Sequence, residues 1–161
     1  MSNEVSGDFD HEDLSGYENN ACIKEAVDEM LNEPSPKAIF KILCVIRKRI
    51  AEEGEAPTPM VSEHVINKDL GFGSGSKLLI DTVFDEDGNE WYPLYTDESE
   101  LNSGHGHNAV IDLSIAMVLE KAFDDDRVKG VAINPFSQKM LLSKQAIEVI
   151  LGEWAEDICA G

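Results

Sequence analysis

The clearest alternation of apolar and polar residues along the chain lies between residues 77 and 96. From Leu78 to Phe84, β-branched and apolar side chains recur at every second position, as in a strand with a buried face. The Asp-Gly-Asn sequence at residues 87–89 tolerates positive backbone φ angles, which a tight turn requires. The pattern therefore predicts a β-hairpin whose return strand covers residues 91–96.

Pro93 lies in the middle of the predicted return strand. Proline cannot donate a hydrogen bond to a neighbouring strand and is therefore confined to edge strands or to positions without a partner. We expect residues 91–96 to form an edge of the sheet, or to be unpaired on one side at Pro93. An exposed edge accepts a strand from another protein or from a second copy of the chain, so a homodimer is one alternative.

The spacing of apolar residues predicts two helices near the N-terminus. The first begins after Asn20, as its N-cap, and ends before Pro34, and the second begins with Ser35 as its N-cap. The second helix has a basic face, which either neutralises acidic segments of the same protein or binds an acidic ligand. The basic residues of this face are Lys37, Lys41, Arg47, Lys48 and Arg49.

The rest of the chain alternates between short strands and helices. Residues 56–59 contain two prolines and are predicted to form an extended linker. Thr96, Ser114 and Ser143 are predicted to cap helices. Together the elements predict an α/β (α+β) fold, with a central mixed sheet of about five strands, flanking helices and the two added N-terminal helices. The other predicted strands cover residues 109–112, 128–134 and 138–142.

Charge is the part of the composition that changes this picture most. The 161 residues include 13 Lys and Arg against 32 Asp and Glu, for a formal net charge of −19. Residues 1–18 are predicted to be a solvated acidic tail, and residues 19–161 a single domain. The negative field repels phosphate backbones and anionic membranes. We therefore expect no nucleic-acid or membrane partner. The charge either serves solubility alone or attracts a basic protein partner.

The cysteines and the N-terminal residues bear on the cellular compartment. Cys22, Cys44 and Cys159 form no CxxC pair, which favours a reducing compartment over a disulfide framework. The N-terminal residues lack the basic region and the apolar core of a signal peptide. No apolar run approaches the ~20 residues of a membrane span. We therefore expect a cytoplasmic protein.

Candidate catalytic or metal-binding motifs are few. The glycine-rich residues 71–76 lack the Gly-Lys-Ser/Thr spacing of a phosphate-binding loop and precede a strand rather than a helix. His105 and His107 are the only paired histidines, and a metal centre needs further ligands. A small-molecule or metal-dependent enzyme using these two histidines is an alternative. No catalytic residue, metal ligand or cofactor is predicted.

Three segments resemble one known family. YPLYTDESEL, at residues 92–101, resembles the P-[VL]-[FY]-T-S-x-x-E-L stretch of the SseB family, which is named for enhanced serine sensitivity, with Asp97 where serine is usual. VIDLSIAMVLEKAF resembles its strand-then-helix segment, and GVAINPFSQKMLLSKQAIEVIL its hydrophobic-Asn-Pro, strand and helix ending. The resemblance covers residues 77–151. It implies the N-terminal domain of that family, an α/β domain of the bacterial cytoplasm, and it brings no catalytic residue with it.

The leading hypothesis is a non-enzymatic interaction or regulatory domain. It rests on the lack of an assembled catalytic site, on the negative charge and on the predicted edge strand. Because related small domains resemble immunity proteins, an immunity-type inhibitor of a basic toxin is an alternative. The residues predicted to form the contact surface are Tyr92, Pro93, Tyr95, Thr96, Asn134 and Pro135.

Overall fold

The computed structural model describes residues 20–62, 78–103 and 109–153. The described residues form helices and strands in alternation, which confirms the predicted α/β class. The predicted acidic tail lies outside them. The helices are α1 (Ala21–Asn32), α2 (Pro36–Ala51), α3 (Glu98–Asn102), α4 (Ile115–Asp124) and α5 (Lys144–Leu151). The strands are β1 (Glu55–Ser62), β2 (Leu78–Ile80), β3 (Val83–Phe84), β4 (Glu90–Leu94), β5 (Ala109–Ser114), β6 (Val128–Ile133) and β7 (Met140–Ser143).

The described strands form two sheets, where the sequence predicted one central sheet. The three-stranded sheet has the order β2-β1-β5, and the four-stranded sheet has the order β3-β4-β6-β7. Neighbouring strands are antiparallel except for β4 and β6, which are parallel. Because β4 and β6 are parallel, the segments that follow them leave the four-stranded sheet at the same end.

The predicted hairpin is present, but its first strand is divided between the two sheets. β3 pairs with β4 around a turn in which the Asp85 carboxylate accepts hydrogen bonds from the backbone N–H groups of Asp87 and Asn89, each at 2.9 Å. β2 pairs with β1 instead. The backbone N–H of Asp81 donates to the carbonyl of Pro59 at 2.9 Å, which holds the chain to β1 until it turns towards β3.

Residues 56–59 belong to β1, the central strand of the three-stranded sheet, so the prediction of a linker is wrong. Pro57 and Pro59 fit into this strand because they are two residues apart, so their nitrogen atoms point to the same side of β1. The backbone N–H of Ile115 donates to the carbonyl of Gly54 at 2.9 Å. This bond sets the phase of the ladder, in which even-numbered residues of β1 bond to β5 and odd-numbered residues face β2. Pro57 and Pro59 therefore lack only donors that would point towards β2.

The helices cover one face of the four-stranded sheet. α4 and α5 pack on its strands, α2 packs against α4 and α5, and α1 packs against α2. Alternate residues of β4 and β6 enter the core they share, among them Leu94 and Ile133. The two predicted N-terminal helices are thus integral to the core. None of the helices among the described residues is long and apolar enough to cross a membrane.

Some predicted helix caps are confirmed and others are wrong. Asn20 makes no side-chain capping bond, and Asp97, rather than Thr96, caps α3. Asn20 and Thr96 instead form tertiary hydrogen bonds, described below. The confirmed caps each accept a hydrogen bond from the backbone N–H three residues later, and they are Ser35, Ser114 and Ser143.

The structure differs from the expectation of unpaired cysteines at Cys44. This residue of α2 is disulfide-bonded. Cys22 on α1 is not disulfide-bonded, and burial raises the pKa of its thiol. Because the thiolate is the reactive form of cysteine, a raised pKa makes Cys22 a poor nucleophile at neutral pH.

Candidate functional site

Most of the residues predicted to form a contact surface are buried. Asn134 is 0% and Thr96 is 2% exposed, and only Pro135 is partly exposed. The prediction that these residues present a shared surface is therefore contradicted, because they lack the exposure that contact with a partner needs. The buried members of the set are Tyr92, Pro93, Tyr95, Thr96 and Asn134.

Of the two alternatives predicted for the strand at Pro93, the edge strand is wrong, because β4 lies between β3 and β6. Pro93 is opposite Ala132 of β6. The ladder between β3 and β4 includes only the two residues of β3, opposite Trp91 and Glu90. At Pro93, β4 thus has a described ladder partner on one side only, which was the second alternative in the prediction. An interior strand accommodates a proline here because its neighbour ends before it.

Thr96 and Asn134 meet because they follow the parallel strands β4 and β6. The side-chain Oδ1 of Asn134 accepts a hydrogen bond from the backbone N–H of Thr96 at 3.0 Å. Its Nδ2 donates to Thr96 Oγ1 at 3.1 Å and to Gln138 Oε1 at 2.8 Å. The backbone of Asn134 has a φ of 46°, a left-handed conformation that asparagine tolerates. We call Asn20, Arg49, Thr96, Asn134 and Gln138 the polar junction.

Asn20 and Arg49 join the N-terminal helices to this junction. The Asn20 Nδ2 donates to the carbonyls of Glu55, at 2.9 Å, and Thr96, at 3.3 Å. The buried Arg49 donates through Nε to Asn20 Oδ1 at 2.8 Å. Its guanidinium lies against Gly54, where a Cβ would come within 2.5 Å of it. The polar junction therefore ties α1 and α2 to a strand of each sheet.

A second polar cluster lies beside the junction. The Lys24 Nζ pairs with Oε2 of the buried Glu100 at 2.8 Å, and Ser137 Oγ donates to Glu100 Oε1 at 2.5 Å. The hydrogen bond to Glu100 raises the pKa of Lys24, so the lysine stays charged at neutral pH. A lysine must be neutral to act as a base, so Lys24 does not activate Ser137 as a nucleophile.

A groove lies between α4 and the start of β6, and it is a third polar cluster. The Tyr92 hydroxyl donates to Asp125 Oδ2 at 2.7 Å, and Arg127 Nη2 pairs with the same oxygen at 2.7 Å. Hydrogen bonds from Arg127 and Tyr92 hold the pKa of Asp125 well below its usual range. Burial, followed by the bond to Asp125, raises the pKa of Tyr92 to about 12. Neither group exchanges a proton near neutral pH. The groove is lined by Tyr92, Met117, Glu120, Lys121, Asp124 and Asp125.

The basic face of α2 is largely engaged with the protein itself. Lys41 pairs with Glu29 at 2.9 Å, and Arg49 pairs with Glu52 at 2.8 Å. Arg47 donates to backbone carbonyls at the C-terminal end of α5. These contacts favour the interpretation in which the basic face neutralises acidic groups and binds carbonyl groups of the same chain, rather than an acidic ligand.

The structure places an exposed strand edge at β5. This strand bonds to β1 and is the last strand of the three-stranded sheet as described. Val110 is 44% and Ile111 is 37% exposed. β5 has six residues, whereas the other described edge strands β2, β3 and β7 have three, two and four. The sequence predicted a short strand here, and its β-branched residues without lysine or proline were the available sign of an open edge.

The residues of the metal-dependent alternative, His105 and His107, lie outside the described residues. Within residues 20–62, 78–103 and 109–153, no group of three or more His, Cys, Asp or Glu side chains is arranged to hold a metal ion. The use of the two histidines therefore stays a prediction.

Comparisons with known proteins return no relative of this chain. No protein family matches the sequence, and no curated protein and no solved structure matches it. The resemblance to the SseB family therefore stays an expectation based on the three segments quoted above.

Proposed function

We propose that this protein is a non-enzymatic interaction domain that binds a basic protein partner in the bacterial cytoplasm. The observation that carries the proposal is the net charge of −19. A field of this sign attracts cationic surfaces, speeds their association and repels polyanions. The SseB-like segments are the source of the bacterial and cytoplasmic parts of the proposal.

The described polar clusters support a binding role over a catalytic one. In the groove, burial and the hydrogen bond to Asp125 raise the pKa of Tyr92, and hydrogen bonds from Arg127 and Tyr92 lower the pKa of Asp125. In the cluster beside the junction, Lys24 is held in its charged form by Glu100. General acid–base catalysis needs a group whose pKa lies near the working pH. Each of these groups is shifted away from that range.

An inhibitor of a basic toxin is a special case of this proposal. Such an inhibitor needs a strongly acidic surface that associates quickly with a cationic enzyme. The charge of −19 meets this requirement without any catalytic residue. A toxin encoded beside this protein would identify the special case.

The proposal is tested by affinity capture with the full chain. The immobilised protein is exposed to a lysate of its source organism at about 0.05 M and about 0.5 M salt, since salt screens exposed charges. We expect one stoichiometric basic protein at low salt and its loss at high salt, read by mass spectrometry.

The control for this capture is an unrelated acidic protein of similar size and net charge, which reports proteins attracted by charge alone. A partner that is absent from the control and sensitive to salt supports the proposal. The absence of any partner above the control at both salt concentrations would contradict it, as would an acidic partner.

A further inference from the structure

The outer side of β5 presents the backbone groups of Val110. The hydrogen bond from the Ile115 N–H to the Gly54 carbonyl fixes the phase of the ladder between β1 and β5. In that phase Ile111 exchanges hydrogen bonds with β1, and the N–H and C=O of Val110 point to the other side of the strand. The described residues supply no strand on that side. β5 is therefore oriented to pair with one more strand.

β5 has few of the features that usually protect an edge strand. Natural edges are short, carry charged residues (lysine above all) or proline, or contain a bulge. The six residues of β5, AVIDLS, include one charged residue, Asp112, and neither lysine nor proline, and their register with β1 is continuous. By contrast, β7 has four residues and lies between Lys139 and Lys144. A long edge with few of these features is typical of strands that accept a partner strand.

Exposed β-branched side chains lie on both faces of β5. Val110 and Ile111 are adjacent in a strand and therefore point to opposite faces. Val61 of β1 is 37% exposed, and it shares the face of Val110 because Val110 is opposite Pro59, two residues away. A strand added beside β5 places its own side chains against these residues, which is the main source of sheet stability.

The charges around β5 favour a basic segment. β1 contains the exposed acidic residue Glu55, and neither β1 nor β5 contains Lys or Arg. The net charge of the whole chain is −19. An extended segment in which Lys or Arg alternates with apolar residues complements this surface in charge and in shape.

We infer that β5 is the docking strand for an extended basic segment of a partner protein, which joins the three-stranded sheet through backbone hydrogen bonds. The inference rests on the proposed function and gives it a surface and a mode of binding. A second copy of the chain is a poor occupant, because two chains of charge −19 repel each other. A basic segment removes that repulsion and supplies the additional strand.

The first test is a titration of the full chain with a fluorescent synthetic peptide in which Lys and Val alternate. A matched peptide carries methyl groups on alternate backbone nitrogens, so it keeps the charge and the side chains but cannot pair along that edge. We expect the methylated peptide to bind at least about tenfold more weakly, since it loses several backbone hydrogen bonds. Equal binding of the two peptides overturns the inference.

The second test changes β5 itself. Val110→Pro removes an outward N–H and leaves the donors used by β1 in place, whereas Val110→Thr keeps the N–H and the β-branched shape. We expect Val110→Pro to weaken binding of the unmethylated peptide about tenfold and Val110→Thr to change it by less than about threefold. Leu141→Thr, on the edge strand β7, is the control and leaves binding unchanged. Circular dichroism verifies the fold of each variant, and the peptide comparison stands if Val110→Pro does not fold.

The outcomes separate this inference from the proposed function. Salt-sensitive binding of both peptides that does not depend on Val110 overturns the docking strand and leaves the acidic interaction domain in place. No binding of either peptide also overturns the docking strand, and the capture experiment then decides the proposed function. A concentration-dependent dimer that Val110→Pro abolishes assigns β5 to a second copy and overturns the basic segment as its occupant.

Discussion

The polar junction and strand β5 satisfy their hydrogen-bonding groups in opposite ways. In the junction, Asn134 is completely buried and its side chain bonds to Thr96 and Gln138. In β5, Val110 is 44% exposed, and its backbone groups point away from β1. The first region is closed by contacts within the chain, and the second presents backbone groups of Val110 on a side where the described residues supply no strand. The residues singled out by the sequence motif therefore maintain the fold, and the surface that we propose for binding lies elsewhere.

Among the substitutions that test this comparison, the largest loss of stability is expected at Asn134. Asn134→Ala removes the hydrogen bonds to Thr96 and Gln138 and places alanine at a left-handed φ. We expect a loss of about 3–4 kcal/mol in the free energy of unfolding, measured by urea denaturation. Asn134→Gly is the matched variant, and it recovers about 1 kcal/mol because glycine adopts this φ without strain. A loss below about 1 kcal/mol for Asn134→Ala would show that the junction is not closed and would break the comparison.

An intermediate effect is expected at Asp125, a partly buried carboxylate that Tyr92 and Arg127 hydrogen-bond. Asp125→Asn weakens the charged hydrogen bonds from Arg127 and Tyr92, and we expect a loss of about 1–2 kcal/mol at neutral pH. The folded state lowers the pKa of Asp125. Its contribution is therefore fully present above the unfolded pKa of about 3.9 and is lost as the pH falls towards the lowered folded value.

The difference in unfolding free energy between Asp125→Asn and the unchanged protein should thus shrink as the pH is lowered below about 4. Urea denaturation at a series of pH values measures it. Asp124→Asn, at the exposed neighbouring position, is the control and should change stability by less than about 0.5 kcal/mol. A difference at Asp125 that is constant with pH would show that the carboxylate does not gain its stability from its charge.

The smallest effect on stability is expected at β5. Val110→Lys places a charged side chain on an exposed edge, and we expect the free energy of unfolding to change by less than about 0.5 kcal/mol. The same variant should bind the Lys-Val peptide more weakly, because lysine repels a cationic strand and protects the edge. A loss above about 1.5 kcal/mol in thermal or urea unfolding would mean that Val110 is covered in the folded protein. The contrast between a closed junction and an open edge would then fail.

The elements that depend on nearby residues could be predicted from the sequence. Helices α1, α2, α4 and α5 follow from apolar residues three and four positions apart. The serine caps of α2, α4 and α5 follow from a hydrogen bond that spans three residues. The turn between β3 and β4 follows from Gly88, which has a φ of 86°. Each of these features is decided within a few residues, so the pattern along the chain contains the necessary information.

The candidate site was predicted less well because a proline within a strand fits two arrangements, an edge strand or an interior strand whose neighbour is short. Pro93 indicated an edge strand, and Tyr92 and Thr96 were therefore assigned to a contact surface. In the structure the missing donor is accommodated by a neighbouring strand that ends early, and the same residues are buried. Asn20 was likewise assigned to a helix cap, although its amide bonds to Thr96. When a side chain can hydrogen-bond either to a nearby backbone group or to a distant one, the sequence does not show which bond forms.

Composition and short-range spacing were enough to predict the α/β class, the two N-terminal helices and the acidic charge. The folded structure was needed to show that β4 is an interior strand and that β5 is an edge among the described strands. The physical reason is the distance along the chain over which each choice is made. The Ser35 cap depends on Ala38, three residues away, whereas Asn20 bonds to Thr96 across 76 residues. A position within a sheet depends on contacts of the second kind, which form only when the chain is folded.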